Sequence, residues 1–128
     1  MLMRSLTIAL LITLTSCTNT LEKQLPGKWR MAQVFESGAD VTAQHNPKGN
    51  RWIEFHKDGT FVSDGDPFGR NTGHWHIDAA KTMLYIDSDL EDDDSEWKIE
   101  IKGDTTYWNG VGTPRKEGFR LVHVRVGS

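Results

Sequence analysis

The sequence predicts an all-β protein built on one eight-stranded antiparallel β-barrel with up-and-down connections. Short segments that alternate apolar and polar residues recur from residue 25 onward, and turns rich in glycine, asparagine and aspartate separate them. No stretch of this region carries a helical repeat of useful length. Because an open sheet edge invites pairing with other chains, closure of eight consecutive strands into a barrel is the economical arrangement.

Eight strands are predicted in chain order. The first places Trp29, Met31 and Phe35 on one face. Between the second and third strands, Asp58-Gly59 is typical of a tight hairpin turn, because both residues tolerate the positive φ that such turns require. The predicted strands are 27–36, 51–57, 60–63, 73–77, 82–87, 96–102, 105–109 and 118–126.

The inward face of the predicted barrel is bulky. An eight-stranded barrel is narrow enough for side chains to fill it, or it holds one small ligand. A small domain also needs this burial to offset the entropy of its chain. We therefore expect a mostly filled barrel with at most a shallow cup. The inward set is Trp29, Met31, Phe35, Ile53, Phe55, Phe61, Trp75, Ile77, Leu84, Ile86, Trp97, Ile99, Ile101, Phe119 and Leu121.

Loop length distinguishes the two ends of the barrel. Strict alternation puts the tight turns at the end that holds Trp29 and the long links at the other end. The long links are 37–50, 64–72, 90–95 and 110–117. Loops grouped on a rigid scaffold often bind ligands, so a small molecule is expected to enter opposite Trp29. The residues expected to line this cup are Phe35, Phe61, Ile86 and Trp97.

The N-terminus has the form of a secretory signal, with a basic start at Arg4 and an apolar run from Leu6 to Leu14. The segment Leu14-Thr15-Ser16-Cys17 resembles the lipobox of bacterial lipoproteins. In that family, the part before the cysteine is removed, here residues 1–16, and the cysteine carries a diacylglycerol and usually an N-acyl chain. The alternatives are a plain signal peptide with a chance cysteine or a membrane anchor, although a span needs about 20 residues.

Residues 17–24 are expected to form the lipidated cysteine and a polar tether, followed by the domain at 25–128. Thr18 follows the cysteine, whereas an aspartate there would resemble the inner-membrane retention signal of enterobacterial lipoproteins. The resemblance therefore implies a lipid anchor in the cell outer membrane, on its periplasmic or surface face.

Composition narrows the function classes. The chain has 128 residues with 15 Lys and Arg against 18 Asp and Glu, so loss of residues 1–16, which include Arg4, leaves 112 residues and a formal charge of −4. An acidic chain lacks the basic footprint of a nucleic-acid partner. Cys17 is the single cysteine, which excludes an intrachain disulfide and, once it is lipidated, thiol catalysis.

Two sets of residues point to one known family. Gly27-Lys28-Trp29 forms a Gly-x-Trp at the entry of the first strand, and Arg125 lies near the end of the last. With the blocks 54–61 and 73–77, these residues resemble the small lipocalin-like lipoproteins of Gram-negative bacteria over about 25–126. The resemblance implies that Trp29 closes one barrel end, that Arg125 stacks on it, and that Gly27 belongs to the same closure. In contrast to larger lipocalins, no C-terminal helix is expected within these 128 residues.

Two groups of residues could bind a metal ion, but a solvated acidic loop and surface histidines are the simpler interpretations. The run Asp87-Ser88-Asp89-Leu90-Glu91-Asp92-Asp93-Asp94 resembles a set of oxygen ligands for Ca²⁺, but it lacks the spacing of a helix-loop-helix calcium motif. His74 and His76, with His56 or His45, could ligate zinc, but Trp75 is predicted inward and these histidines therefore face water. We expect no metal and no cofactor, and His123 is expected to be a packed residue at the barrel end.

No nucleophile elbow, catalytic triad or phosphate-binding loop is present in the sequence. The expected function is therefore binding of a small apolar or amphipathic ligand without catalysis. The expected partners are a membrane, through the lipid anchor, and this ligand, with no nucleic acid. The alternative is an accessory envelope lipoprotein that binds another protein or a glycan through its loops or its outer face.

Overall fold

A computed structural model describes residues 20–127, and these residues form a closed, all-β, eight-stranded antiparallel barrel. The strands are β1 (Gly27–Glu36), β2 (Ala39–Asp40), β3 (Trp52–Phe55), β4 (Thr60–Asp64), β5 (Asn71–Asp78), β6 (Met83–Ser88), β7 (Ser95–Lys102), β8 (Thr105–Gly110) and β9 (Phe119–Arg125). Three single helical turns complete it: α1 (Leu21–Gln24), α2 (Thr42–His45) and α3 (Pro114–Glu117). The predicted signal peptide and Cys17 lie outside the described residues.

Each barrel strand pairs antiparallel with its neighbour in the chain, and β9 returns to pair with β1. The closing register places Trp29 opposite Arg125 and Met31 opposite His123. The predicted up-and-down barrel is therefore confirmed, with every barrel strand present at close to its predicted bounds. β2 is an addition, a two-residue hairpin arm that pairs with Phe35 and Glu36 of β1.

A β-bulge interrupts β1 where it pairs with β9. The register shifts between Met31 and Gln33, so that Val34 lies opposite Leu121 and Phe35 lies opposite Arg120. Directly opposed residues of an antiparallel pair share a face of the sheet, and a one-residue shift reverses the faces beyond it. The upper part of β1 therefore turns Val34 inward and Phe35 outward.

The predicted tether is partly folded. Residues 21–24 form the helical turn α1, and the next residue, Leu25, is completely buried in the core. Leu21 packs against the same core. This apolar pair lies close to Trp29, whose indole Nε1 donates a hydrogen bond of 2.8 Å to the Leu25 carbonyl. The folded domain thus begins before residue 25, because two leucines bind this segment to the closed end of the barrel.

Asn46 connects β1 and β3 where the two strands stop pairing. The regular pairing covers only Gly27 to Arg30 of β1. Beyond it, buried Asn46 donates from Nδ2 to the Met31 carbonyl at 3.2 Å and accepts from the Arg51 backbone N–H at 3.2 Å. The side chain therefore satisfies backbone groups that the ladder leaves unpaired.

The core occupies the lower and middle barrel. Its buried residues are Leu25, Trp29, Ile53, Phe55, Phe61, Trp75, Ile77, Leu84, Ile86, Ile99 and Trp108. Within residues 20–127, no helix has the length and apolar character needed to cross a membrane.

Candidate ligand-binding cavity

The end of the barrel that contains Trp29 is closed. Trp29 is completely buried, and the guanidinium carbon of Arg125 lies 4.1 Å from the centroid of its ring. Arg125 also donates to the Gln24 carbonyl at 2.7 Å and to the Pro26 carbonyl at 3.1 Å. These contacts join the last strand to the segment that precedes the first, and the arginine thereby covers the Trp29 ring at this end.

Gly27 lies directly against Arg125. Its φ is +130°, and a Cβ at this position would approach the Arg125 Nη1 atom to 2.7 Å. A side chain here would be both strained and in collision with the guanidinium. The Gly-x-Trp sequence therefore has a local physical reason: glycine admits the arginine that covers the tryptophan.

A cavity of about 310 Å³ opens at the opposite end. Its wall contains Phe61, Ile86, Trp97, Trp108 and Leu121. Its rim is formed by two of the long links, which contribute Gly65, Phe68, Gly69, Leu90 and Asp93. The cavity is thus an aromatic and aliphatic cup in the upper barrel, of a size within the usual range for small-molecule sites.

The structure brings three of the four predicted cup residues together. Phe61, Ile86 and Trp97 line the cavity, whereas Phe35 does not. The placement of Phe35 in the cup was wrong because the bulge in β1 reverses the face of every residue beyond it. Met31, which precedes the bulge, lines the cavity from β1 instead.

The rim exposes two large apolar side chains. Phe68 is 67% exposed and Leu90 is 49% exposed. Sequence reasoning missed both, because loop residues have no alternation that assigns them to a face. The only signal was their position, since each is an apolar residue isolated in a polar or acidic link. Exposed apolar groups around a concave site are typical of binding surfaces.

Arg51 is the cation of the cavity wall. Its Nη1 atom donates to the His45 carbonyl at 3.0 Å, and its guanidinium carbon lies 4.7 Å from the centroid of the Phe68 ring. Burial lowers the pKa of Arg51 from its usual value, and the negative charge of Asp93 has the smaller, opposite effect of raising this pKa. The guanidinium stays protonated at neutral pH and brings a partly desolvated positive charge to the rim.

His123 lies in the cavity wall and is 3% exposed, not at the barrel end as predicted. Its position opposite Met31 in mid-strand explains the difference. Burial, with a smaller effect from the Arg51 guanidinium, lowers the pKa of His123 to about 3. The imidazole is therefore neutral at physiological pH, and its ring packs 4.4 Å from that of Trp108.

Three polar atoms near this histidine are buried without a hydrogen-bond partner in the described part of the chain. They are Thr106 Oγ1, Trp108 Nε1 and His123 Nδ1. Thr106 lies directly opposite His123 in the β8–β9 register, so the three side chains are neighbours. An unpaired buried polar atom costs about 1–3 kcal/mol, so this cluster contributes unfavourably to the stability of the core.

The acidic loop is tied to strand ends through its carboxylates. Asp89 accepts from Thr72 Oγ1 at 2.7 Å, Asp93 from Asn71 Nδ2 at 2.9 Å, and Asp94 from the Ser88 N–H at 2.7 Å. Among residues 20–127, no three histidine, cysteine or acidic side chains are placed to hold a metal ion. The expectation that this loop has no calcium site stays a prediction.

The predicted surface histidines lie on the outer wall. His74 and His76 are exposed, and His76 stacks on Tyr85 with ring centroids 4.7 Å apart. His56 contacts Glu54 at 2.7 Å and Thr60 at 2.9 Å. These interactions engage the rings with protein partners on the outer face, away from the cavity.

Comparison of the sequence with protein-family models and with curated proteins found no match. Among solved structures, the chain is similar to the crystal structure of a DUF4847 family protein from Bacteroides vulgatus. The TM-score is 0.58 at 13% sequence identity, and the match covers 81% of this chain and 95% of the other. At this identity the similarity concerns the fold alone, and it supports a barrel of this overall form.

Proposed function

We propose that this protein is a lipocalin-like lipoprotein of the bacterial cell envelope that binds a small apolar or amphipathic molecule in its cavity, without catalysis. One observation carries the proposal: a cavity of about 310 Å³ opens at one barrel end, with aromatic walls and two exposed apolar side chains at its rim. A wall of this kind favours an apolar ligand, because binding removes apolar surface from water.

The size of the cavity suggests a short ligand. At roughly 30 Å³ for each water-sized group, it accommodates about ten non-hydrogen atoms. Eight-carbon amphiphiles are therefore suitable probes. Long-chain lipids would leave most of their length outside the barrel.

The second candidate, docking of a protein or glycan on the outer face, has weaker support. The outward aromatic rings are covered by cations: Lys28 lies 4.1 Å from the Trp52 ring and Arg120 lies 4.6 Å from the Tyr107 ring. These aromatics therefore do not form an open patch. Three large apolar side chains are exposed in the described part of the chain, and two of them, Phe68 and Leu90, belong to the rim of the cavity, whereas Val126 lies by itself after the last strand.

Binding can be tested by filling the cavity. Ser63 lines it, whereas its neighbour Val62 alternates to the outer face of β4. We expect Ser63→Phe to weaken binding of 1-octanol and octanoate by about tenfold or more, since the added ring occupies the ligand space. Val62→Phe is the matched control and should leave affinity within about twofold.

The titrations use the processed chain with Cys17→Ser, which is obtained without detergent, and follow tryptophan fluorescence. Trp97 and Trp108 line the cavity and report on it directly. Failure of both probes to bind, or equal binding by the Ser63 and Val62 variants, would exclude a ligand site in this cavity.

The lipid anchor has a separate test. Acylation of Cys17 predicts that membrane-extracted protein begins at residue 17 and carries the mass of a diacylglyceryl group. An unmodified Cys17, or a mature N-terminus elsewhere, would remove the lipoprotein assignment while leaving the binding proposal intact.

A further inference from the structure

The donors of Arg51 are mostly free at the mouth of the cavity. A guanidinium carries five N–H groups. Among residues 20–127, one of them is engaged, through Nη1 and the His45 carbonyl, and no carboxylate forms an ion pair with the group. The remaining donors lie at a rim position that is partly shielded from water.

The two carboxylates of the same wall are hydrogen-bonded to the chain. Asp64 accepts from the Gly65 N–H at 2.7 Å, and Asp93 accepts from Asn71 Nδ2 at 2.9 Å. Asp93 is also exposed, so water completes its hydrogen bonding. Arg51 is the only lysine or arginine among the described residues that line the cavity, so it is the side chain there that can form a charge-assisted hydrogen bond with an acceptor group of a ligand.

The geometry of Arg51 favours one kind of acceptor. The Phe68 ring of the rim lies against the guanidinium, with the guanidinium carbon 4.7 Å from the ring centroid, so the planar donor group lies beside an aromatic side chain of the rim. Planar guanidinium groups bind carboxylates through two parallel hydrogen bonds, and such charge-assisted bonds are stronger than neutral ones. Below the rim, Phe61, Ile86 and Trp97 provide the apolar surface for the rest of the molecule.

We infer that the cavity binds a short amphiphile with a carboxylate head group, held by Arg51 at the rim while its apolar part lies against Phe61, Ile86 and Trp97. This inference rests on the proposed function, since it names the ligand class of the same cavity. Arg51 acts as the residue that determines head-group specificity.

Three probes of equal chain length distinguish ligand binding in the cavity from selection of a carboxylate by Arg51. They are octanoate, 1-octanol and octylammonium, all at neutral pH. We expect octanoate to bind about tenfold more tightly than 1-octanol, because of the charge-assisted hydrogen bonds to Arg51. Arg51→Gln should reduce the affinity for octanoate to that of 1-octanol and leave 1-octanol within about twofold. Arg51→Lys, which keeps the charge without the planar donors, should give an intermediate affinity.

Arg30→Gln is the matched control, since Arg30 is an exposed arginine on the outer face of β1. It should leave all three affinities unchanged. If Arg51→Gln fails to fold, the preference of the unaltered protein for octanoate over 1-octanol, and its weakening by salt, test the same point.

The outcomes are distinct. If none of the probes binds, the proposed function itself is excluded. If all three bind equally and Arg51→Gln changes nothing, the cavity binds ligands but the carboxylate inference is wrong. If octylammonium binds most tightly and Asp93→Asn weakens it, the rim carboxylates select a cation and the inference is overturned.

Discussion

Arg125 covers the buried ring of Trp29, with its guanidinium carbon 4.1 Å from the ring centroid. The same guanidinium donates to the carbonyls of Gln24 and Pro26. One side chain from the last strand therefore closes the barrel end and holds the segment that enters the first strand. This arrangement explains why the two residues, far apart in sequence, form one structural unit.

Arg125→Ala should lower the free energy of unfolding by about 2 kcal/mol, because it removes the stacking on Trp29 and two hydrogen bonds. Urea unfolding followed by tryptophan fluorescence measures the change. Arg120→Ala, on the outer face of the same strand, should change stability by less than about 1 kcal/mol. An unchanged midpoint for Arg125→Ala, with an unchanged slope, would contradict the role of Arg125 in closure.

Gly27→Ala should destabilise the protein by more than Gly103→Ala. Gly103 has a φ of +59° with nothing near its added Cβ, so alanine there carries only the backbone strain, about 1 kcal/mol. At Gly27, the added Cβ also meets Arg125 Nη1 at 2.7 Å. Urea unfolding measures the stability of the two variants. Equal losses would show that the Arg125 side chain moves away from the added Cβ at no cost in stability.

Asn46→Ala should cost about 2–3 kcal/mol, because it leaves the Met31 carbonyl and the Arg51 N–H unpaired in a buried position. Asn50→Ala is the control: Asn50 is exposed and bonds to Asp66, so its loss should cost less than about 1 kcal/mol. Thermal unfolding measures both. Similar melting temperatures for the two variants would exclude the bridging role of Asn46.

Thr106→Val should leave the protein at least as stable, with a gain of up to about 1 kcal/mol. The Thr106 hydroxyl is completely buried without a partner in the described chain, and valine keeps the shape while removing the unpaired group. Thr105→Val, at the half-buried neighbouring position, should change stability by less than about 0.5 kcal/mol. A clear loss of stability in Thr106→Val would mean that the hydroxyl is hydrogen-bonded in solution.

Protein stability should fall as the pH decreases from 6.5 to 5, and His123 should account for part of the loss. The folded pKa of His123 is about 3, below the ordinary value of 6.5, so the unfolded chain binds the additional proton in this range. Stability from this group is therefore complete above pH 6.5 and decreases toward pH 3.

The His123 contribution to that loss is about 1.5 kcal/mol between pH 6.5 and 5. Urea unfolding of the unaltered protein and of His123→Phe at both pH values measures it, since the difference between the two losses isolates this histidine. Equal losses would indicate that His123 is protonated in the folded barrel.

The strand order could be predicted from the sequence because it depends on local patterns. Alternation of apolar and polar residues defines a strand and its inward face, and Asp58-Gly59 defines a turn. The joint role of Gly27, Trp29 and Arg125 was implied by the resemblance to lipocalin-like lipoproteins and by no local pattern, and the register places Trp29 opposite Arg125. Trp75 was likewise placed inward between two exposed histidines.

Two features of the cup could not be predicted without the tertiary structure: the outward orientation of Phe35 and the position of Arg51. Phe35 faces outward because of the register between the first and last strands. The β-bulge that shifts this register cannot be predicted from a local sequence pattern. Arg51 lies in the cavity wall because the link that precedes β3 packs on the upper part of β1. Hydrogen bonds from Arg51 to Asn46 and to the His45 carbonyl of α2 hold it there.

The sequence by itself therefore determined the β class, the eight barrel strands and their short turns. Each of these follows from side-chain alternation and turn chemistry within a few residues of the chain. The tertiary structure alone decided which side chains line the open end and where the rim cation lies. Those depend on contacts between distant segments, whose register and loop packing only the closed barrel specifies.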